Sequence, residues 1–188
     1  MIIGLVGFKE VGKSTAAEHL REMYCFERIN FKDGMLAQML INFPDFIPAF
    51  CRLMDKHYWD GRAWTFGRLN QEKPEAWRAF MVNFGTDLWR QIDNNIWVDK
   101  WGEKVQGYNM VVADDVRFLN EAEKLKQMGG ILIRLTRPDV TTGGNHKSET
   151  EQNQIVADYT INVNVGDHAG LYAMLNQIID SYTHIKTT

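Results

Sequence analysis

This 188-residue sequence has few cysteines, and it lacks long apolar runs and an excess of positive charge. Its two cysteines, Cys25 and Cys51, are too few for a disulfide scaffold or a zinc cage, so we expect a reducing, cytoplasmic environment. No stretch approaches the about 18 apolar residues of a membrane span, and no basic segment precedes an apolar run at the N-terminus. The formal net charge of -3 has the wrong sign for a protein that clamps nucleic acid. We therefore expect neither a membrane nor a nucleic acid polymer as a partner.

The length fits one domain, or one domain that carries a sizeable insertion, better than two independent domains. A hydrophobic fraction of 45% is ample for a buried core. Tryptophan is distributed unevenly, because all six residues lie between positions 59 and 101: Trp59, Trp64, Trp77, Trp89, Trp97 and Trp101. Composition alone leaves open whether this group forms a core or a binding surface.

Apolar runs alternate with amphipathic stretches along the chain, which predicts an α/β fold with a parallel sheet. Strands are predicted at 1–6, 25–31, 110–113, 131–135 and 159–163. Helices are predicted at 16–24, 35–40, 74–84, 95–105, 120–128 and 171–182, the last one capped by Asp167. The stretch 44–73 shows no clear period.

The segment Gly7-Phe8-Lys9-Glu10-Val11-Gly12-Lys13-Ser14 matches the phosphate-loop pattern G-x-x-x-x-G-K-[ST], between a predicted strand and a predicted helix. Gly7 and Gly12 would let the backbone wrap closely around phosphate oxygens, and the N–H groups of the helix N-terminus would point at the anion. Lys13 would reach the β- and γ-phosphates, and the Ser14 hydroxyl would hold Mg²⁺. The sequence therefore predicts a nucleotide-binding protein.

The phosphate loop does not identify the reaction, since switch GTPases, motor ATPases and small-molecule kinases share it. The guanine-reading pattern N-K-x-D is absent, and the chain is short for a motor or ring ATPase. A kinase for a small phosphorylated acceptor needs a second anion site and a basic lid. Four arginines that could contribute to the second site lie among the tryptophans: Arg62, Arg68, Arg78 and Arg90.

Charged side chains also follow the third predicted strand. Asp115 and Arg117 lie at the sheet edge where ligands bind in open α/β folds, and a carboxylate there could hold Mg²⁺ or orient an acceptor. Glu121 is equally well explained by the preference of helix N-termini for acidic residues.

A candidate lid follows the fourth strand. Arg134 and Arg137 precede the polar, glycine-containing segment 139–152, which could close over the nucleotide and exclude water. An ordinary exposed loop is the alternative. His146 is a weak candidate for a catalytic base, because phosphoryl transfer depends mostly on positioning and charge.

With these motifs, the chain resembles the deoxynucleoside monophosphate kinases of bacteriophages, a branch of the P-loop nucleoside monophosphate kinases. The matching segments, in the family's order, are 7–15, Phe84-Gly85-Thr86-Asp87 followed by Trp97, Asp115-Val116-Arg117-Phe118 with Asn120-Glu121-Ala122, His146-Lys147-Ser148-Glu149, and the tail 157–162. The expected fold is a five-stranded parallel sheet with helices on both faces. We expect a core of residues 1–31 and 109–188, a helical acceptor-binding insertion at 32–108 and a lid at about 137–152.

The resemblance implies transfer of the γ-phosphoryl group of ATP to a deoxynucleoside monophosphate (dNMP), with Mg²⁺ as cofactor, in the cytoplasm of the host if the gene is a phage gene. ATP would be bound by Gly7, Gly12, Lys13, Ser14, Thr15 and Arg137, and Mg²⁺ by Ser14 and Asp115. The dNMP would be bound by Lys9, Lys32, Arg68, Arg78, Gly85, Thr86, Asp87, Trp97, Asp115, Arg117 and Glu121. The implied catalytic residues are Lys13, Arg78, Asp115, Arg117 and Arg137. Whether the protein forms a homodimer is left open.

One segment departs from the family pattern. Where the family reads F-A-D-P-[LI]-K, this chain has Phe31-Lys32-Asp33-Gly34-Met35-Leu36, so a leucine takes the place of the lysine, and Lys32 is a candidate substitute. Two other functions compete with the dNMP kinase. One is another small-molecule P-loop kinase, such as a dephospho-coenzyme A kinase, and the other is an ATP-binding switch without an acceptor.

Overall fold

The computed structural model describes residues 1–140 and 150–185, and five parallel strands form one sheet within them. The strands are β1 (Ile2–Val6), β2 (Glu27–Arg28), β3 (Val111–Val116), β4 (Ile131–Thr136) and β5 (Tyr159–Asn162). Their order is β2-β3-β1-β4-β5. The chain leaves β1 at the point where its neighbours β3 and β4 lie on opposite sides, which is where open parallel sheets bind ligands.

Helices connect the strands and fill the stretch between β2 and β3. They are α1 (Lys13–Tyr24), α2 (Phe31–Asn42), α3 (Phe46–His57), α4 (Phe66–Glu72), α5 (Glu75–Val82), a π-helix (Asn83–Trp89), α6 (Arg90–Ile92), α7 (Ile96–Val105), α8 (Leu119–Gln127), a 3-10 helix (Glu151–Gln154) and α9 (His168–Ile185). No helix in the described part of the chain is long and apolar enough to cross a membrane.

Both faces of the sheet are buried by helices. On one face, Ile3 and Leu5 of β1 belong to a cluster with Leu20 of α1 and Leu175 of α9. The opposite face carries a second cluster, to which α7 and α8 contribute, for example through Leu125. Because successive side chains of a strand point to opposite faces, the continuous apolar run of β1 supplies both clusters. The predicted α/β fold with helices on both faces is confirmed.

The chain divides into two compact units. The first comprises residues 1–31 and 98–188 and contains the sheet, and the second comprises residues 32–97. The predicted insertion extended to residue 108. The second unit is shorter because Val98, Trp101 and Val105 of α7 belong to a core cluster of the sheet.

The structure adds helix to the predicted pattern at two places. The stretch 44–73, which showed no period, contains α3 and α4. The buried residues of α3, Ile47, Cys51 and Met54, have helical spacing, but Leu53 beside them is exposed, which obscures the pattern. The helix that begins after Pro74 does not end at Gly85, because the π-helix continues it to Trp89.

Most of the tryptophans are core residues. Trp64, Trp77 and Trp97 are buried in the second unit, whose core also contains methionines of α2 and α3. Trp101 is buried in the first unit, where its indole N–H donates to the carbonyl of Ile29 at 2.9 Å. Trp59, in contrast, is exposed. Core packing therefore accounts for most of the aromatic concentration, and four of the six residues are buried.

Candidate functional site

The loop between β1 and α1 depends on its two glycines. Gly7 has φ +148° and Gly12, the residue before α1, has φ +100°. L-residues with side chains rarely adopt these values. A Cβ on Gly7 would also overlap the carbonyl oxygen of Leu135 in β4. The loop is thus closely packed against the neighbouring strand, as a turn that wraps an anion requires.

Lys13 lies over this loop. Its side chain is 9% exposed, and its ammonium donates to the carbonyls of Gly7 at 2.5 Å and Phe8 at 2.6 Å. The positive charge is therefore held within the turn. An ammonium is a compact point charge with three donors, which suits phosphate oxygens. Lys9, in contrast, is exposed and pairs with Glu10 at 3.2 Å.

Ser14, in the first turn of α1, contacts a carboxylate of β3. Its hydroxyl donates to Oδ2 of Asp114 at 3.0 Å. Asp114 is 7% exposed, and its backbone N–H donates to the side chain of Asn30. Arg28, at the end of β2, completes the group, with its Nε 3.0 Å from Oδ1 of Asp114 and a terminal nitrogen in contact with Oδ2.

The contacts of this group favour a different partner for Ser14 than the predicted pair of metal ligands. The prediction joined Ser14 to Asp115, but Oδ1 of Asp115 accepts from the backbone N–H of Phe31 at 3.0 Å, while Asp114 contacts Ser14. Asp114 lies inside β3, which is longer than predicted. Gly4 of β1 pairs with Ala113 and Val6 pairs with Val116, so β3 has one extra residue at Asp114–Asp115 and regular strand alternation does not hold there. The acidic pair at the end of the apolar run was the sequence signal, and it did not distinguish Asp114 from Asp115. No signal in the sequence pointed to Arg28.

Ser14 and Asp114 fit Mg²⁺. Both present hard oxygen atoms, and Mg²⁺ is usually held by one or two carboxylates together with substrate phosphates and water. Within residues 1–140 and 150–185, no group of three or more His, Cys, Asp or Glu side chains could hold a metal by itself. A small oxygen donor set beside a phosphate loop is therefore the best candidate metal site in this part of the chain.

Arg117 and Glu121 follow β3, and their roles differ. Glu121 is 2% exposed, and its carboxylate accepts from the backbone N–H groups of Arg117 at 2.8 Å and Phe118 at 3.2 Å. Glu121 thus closes the N-terminus of α8 and orders the turn that carries Arg117. The Arg117 guanidinium is partly exposed and has no hydrogen-bond partner among the described residues. The geometry makes Arg117 a candidate anion ligand and Glu121 a residue that positions it.

The predicted lid is described only at its two ends. Arg137 follows β4, beside the phosphate loop, and its Nε donates to Asp139 at 2.7 Å. At the other end, Glu151 accepts from the backbone N–H of Leu119 at 2.9 Å, and Gln152 is 1% exposed, so both are fixed to the first unit. The segment His146-Lys147-Ser148-Glu149 lies outside the described residues.

Arg134 is not a lid residue. It lies within β4 and donates to the carbonyls of Gln152 at 3.0 Å and Ile155 at 2.6 Å. Burial lowers the pKa of its guanidinium. The side chain therefore anchors the segment that leads into β5.

The predicted acceptor segment of the second unit lies in the π-helix. Gly85 and Asp87 are part of Asn83–Trp89, together with the backbone of Thr86. The indole N–H of Trp97 donates to the carbonyl of Gly85 at 2.9 Å, and Trp97 is 3% exposed. Trp97 therefore supports this segment from inside the core, and its ring does not line an open pocket. π-helical turns are rare in proteins, and those that occur are frequently found at functional sites.

Among the arginines of the second unit, Arg68 has a structural role. Its guanidinium donates to Glu72 at 3.0 Å, to Asp60 and to the carbonyl of Arg62, and it lies 3.8 Å from the centroid of the Trp64 ring. Its hydrogen bond to Asp60 lowers the pKa of that carboxyl to about 2. We remove Arg68 from the proposed acceptor site, because the carboxylates already engage it.

The other basic residues of this unit differ in their burial and in the hydrogen bonds that their side chains make. Nε of Arg78 donates to the carbonyl of Lys73 at 2.7 Å, and no other side-chain hydrogen bond of Arg78 occurs in the described part of the chain. Arg90 is 9% exposed and donates to the carbonyl of Asn94 at 3.2 Å. Lys32 lies in the first turn of α2. Arg78 keeps terminal donors that could bind a phosphate, whereas Arg90 is a core residue.

Comparison with known proteins identifies a family and several similar chains. The family model described as deoxynucleotide monophosphate kinase matches residues 50–173. A protein of Acanthamoeba polyphaga mimivirus, named "Putative deoxynucleotide monophosphate kinase", is 28% identical over 211 residues, which cover 99% of this chain and 100% of that protein. Among solved structures, dephospho-CoA kinase from Campylobacter jejuni is 13% identical, with a TM-score of 0.49 and 98% of each chain covered. Shikimate kinase from Acinetobacter baumannii is 15% identical, with a TM-score of 0.47 over 96% of this chain and 93% of that one.

The family match covers most of the chain, from α3 in the second unit through the strands β3, β4 and β5 to the start of α9. It includes Asp114 and Arg117, and the phosphate loop with Lys13 and Ser14 precedes it. The chain therefore belongs to the deoxynucleotide monophosphate kinase family and is a nucleotide kinase, a phosphotransferase.

Proposed function

We propose that the protein transfers the γ-phosphoryl group of ATP to a deoxynucleoside monophosphate. An oxygen of the acceptor phosphate forms a bond to the γ-phosphorus, the bond from that phosphorus to the β–γ bridging oxygen breaks, and the products are the deoxynucleoside diphosphate and ADP. The observation that carries the proposal is the phosphate loop with Lys13 above it and Ser14 against Asp114, in a chain of this family.

The nucleotide side of the reaction uses residues of the first unit. The loop with Gly7, Gly12 and Thr15 would cradle the ATP phosphates, and Lys13 would bind the β- and γ-phosphates. Ser14 and Asp114 would hold Mg²⁺, which supplies positive charge to the transferring group. Arg137 would contact ATP phosphates from the start of the lid. Catalysis of this kind consists of positioning and charge stabilisation.

The acceptor side uses residues that the resemblance assigns. Lys9 and Arg78 would bind the phosphate of the dNMP, and Lys32 would replace the lysine that the family has at the position of Leu36. Asp115 and Arg117 would contact the acceptor from the sheet edge, with Glu121 ordering the turn. In the second unit, Gly85, Thr86 and Asp87 would contact the deoxynucleoside, with Trp97 as their support.

The proposed compartment is a reducing cytoplasm, that of the host for a phage-encoded protein. Both cysteines are free, Cys25 exposed and Cys51 buried. Burial raises the pKa of the Cys51 thiol, which keeps it protonated and unreactive.

A coupled ADP-release assay tests the proposal. The purified protein is supplied with ATP, Mg²⁺ and each common dNMP and NMP in turn, with dephospho-coenzyme A as a further acceptor. We expect ADP release with at least one dNMP. Transfer to dephospho-coenzyme A alone would reverse the choice of acceptor, and ATP binding without acceptor-dependent ADP release would identify a switch.

Two arginine variants measured in the same assay test the acceptor site. Arg78→Ala is expected to raise the KM for the dNMP about tenfold or more, the loss of one charge-assisted hydrogen bond to phosphate. Arg62→Ala is the matched control, since Arg62 is exposed and pairs with Asp60 and Glu72. An unchanged KM in Arg78→Ala would remove Arg78 from the site.

A further inference from the structure

The space between the two candidate metal ligands is bridged by a guanidinium. Arg28 binds both oxygens of the Asp114 carboxylate, and its terminal nitrogen also lies 3.3 Å from the hydroxyl of Ser14. Ser14 and Asp114 are themselves 3.0 Å apart. The arginine therefore contacts the same oxygen atoms that would hold the cation.

The burial of Asp114 gives this contact a physical reason. The side chain of Asp114 is 6% exposed, and an ionised carboxylate so far removed from water needs a cation beside it. The planar fork of an arginine matches the two carboxylate oxygens. In this structure, Arg28 supplies positive charge directly to the Asp114 carboxylate.

Arg28 is only partly buried. Its side chain is 31% exposed, and β2, which carries it, is a two-residue strand at the edge of the sheet. A change of rotamer at this position would leave the core clusters intact, since Arg28 belongs to neither cluster of the sheet.

We propose that Arg28 is an internal counter-ion that occupies the metal position in the empty protein and yields Asp114 to the metal when the metal–nucleotide complex binds. The proposal rests on the assignment of Ser14 and Asp114 as metal ligands in the proposed function. A free divalent cation must compete with Arg28 and binds weakly, whereas a cation that arrives with a nucleotide is held by phosphates as well. The released guanidinium stays beside the first turn of α1, where phosphate oxygens can replace the carboxylate as its partner.

Titration with Mn²⁺, followed by the loss of the free Mn²⁺ signal in electron paramagnetic resonance, tests this role without any turnover. In the absence of nucleotide, Arg28→Gln is expected to bind Mn²⁺ about tenfold more tightly than the wild type, because the metal no longer displaces a charge-assisted hydrogen-bonded pair. Arg28→Lys, which keeps the charge and loses the fork, is expected to be intermediate. Arg21→Gln is the control for net charge, since Arg21 is exposed and pairs with Glu18.

Equal or weaker Mn²⁺ binding by Arg28→Gln would overturn the proposal, because Arg28 would then assist the metal. If Arg28→Gln fails to fold, Arg28→Lys alone decides by the same criterion. The double variant Arg28→Gln/Asp114→Asn must lose the tighter binding, or the metal binds elsewhere and the proposal fails. A wild type that phosphorylates no dNMP, combined with tighter Mn²⁺ binding by Arg28→Gln, would contradict the proposed function and leave the role of Arg28 standing.

Discussion

The adjacent carboxylates of Asp114 and Asp115 lie where the pairing of β3 with β1 shifts register, and they have different partners. Asp114 contacts Ser14 and Arg28, whereas Asp115 accepts from the backbone of Phe31. The resemblance drew attention to the segment that begins at Asp115. The residue before it, Asp114, contacts Ser14 in the first turn of the helix that follows the phosphate loop.

Asp114→Asn and Asp115→Asn are expected to separate these two roles. Asp114→Asn should lower turnover about 100-fold, the scale of losing one preorganised charged group, and should raise the Mg²⁺ concentration needed for half-maximal rate. Asp115→Asn keeps an oxygen that can accept from Phe31, and it should alter the KM for the dNMP with the Mg²⁺ dependence unchanged. Steady-state rates over a Mg²⁺ series measure both effects. A shifted Mg²⁺ dependence in Asp115→Asn alone would identify Asp115, and not Asp114, as the metal ligand.

The two lysines of the phosphate loop are also expected to differ. Lys13→Ala should lower turnover by at least about 100-fold, because the buried ammonium that would stabilise the transferring phosphoryl group is lost. Lys9→Ala should chiefly raise the KM for the dNMP, since Lys9 is exposed at the rim of the loop. Initial rates give both values, and thermal unfolding shows whether each variant is folded. Near-wild-type turnover in Lys13→Ala would contradict its role.

At the scale of elements, the π-helix is the least regular piece of the described chain. It continues α5 through Gly85 and is supported by Trp97 and by Met35 of α2. A widened helical turn changes which backbone groups are paired, and it persists only where the surrounding core holds it. The second unit therefore uses core packing to shape its candidate acceptor segment.

Gly85→Ala tests that packing. A Cβ at position 85 would overlap the sulfur of Met35, so we expect the variant to lose about 1–3 kcal/mol of unfolding free energy and to raise the KM for the dNMP. Gly67→Ala in α4 is the matched control, because a Cβ there meets only the hydroxyl of Thr65 at 3.9 Å. Urea unfolding measures the stability. The double variant Gly85→Ala/Met35→Ala should lose less unfolding free energy than the sum of the losses of the two single variants.

The charged connection between α3 and α4 predicts a dependence on pH. Because Arg68 holds the pKa of Asp60 at about 2, below its ordinary value, the folded state binds the proton more weakly than the unfolded state. The stabilisation by Asp60 is therefore complete above about pH 4 and lost as the pH falls toward about 2. Urea midpoints of the wild type and Asp60→Asn should differ at pH 7 and converge near pH 2. A difference that is constant with pH would contradict this ion pair.

At the scale of the molecule, the sheet of the first unit is stabilised from both faces. Leu125 of α8 and Leu175 of α9 are fully buried in the two separate clusters. Leu125→Ala and Leu175→Ala are each expected to lower the unfolding free energy by about 2–5 kcal/mol. Because the sheet separates the two sites, the double variant should lose the sum to within about 0.5 kcal/mol. Urea unfolding measures all three variants.

Leu119→Ala is the control for these substitutions. Leu119 is 40% exposed, so its loss should change the unfolding free energy by no more than about 0.5 kcal/mol. Strong non-additivity of Leu125→Ala and Leu175→Ala would mean that the two faces are coupled through the strands.

Local sequence patterns were sufficient to predict the strands of the sheet and the phosphate loop. The apolar run of β1, the two glycines and the stripe of α1 are each encoded within a few residues, because backbone conformation and strand burial depend on nearby side chains. The π-helix and the exact end of β3 were not predictable in this way. Both depend on neighbours that are distant in sequence, Met35 for the π-helix and β1 for β3.

By itself, the sequence determined the order of the five strands along the chain and most of the helices, the conformation that Gly7 and Gly12 impose on the loop, and the family to which its motifs point. The tertiary structure alone decided which carboxylate contacts Ser14, and that Arg28, 86 residues from Asp114, binds it. It also decided that Arg68 is held by its own carboxylates and that Trp97 lies inside the core. Short motifs specify residue types and local conformation, whereas partners across a sheet depend on strand pairing and on which face each side chain occupies.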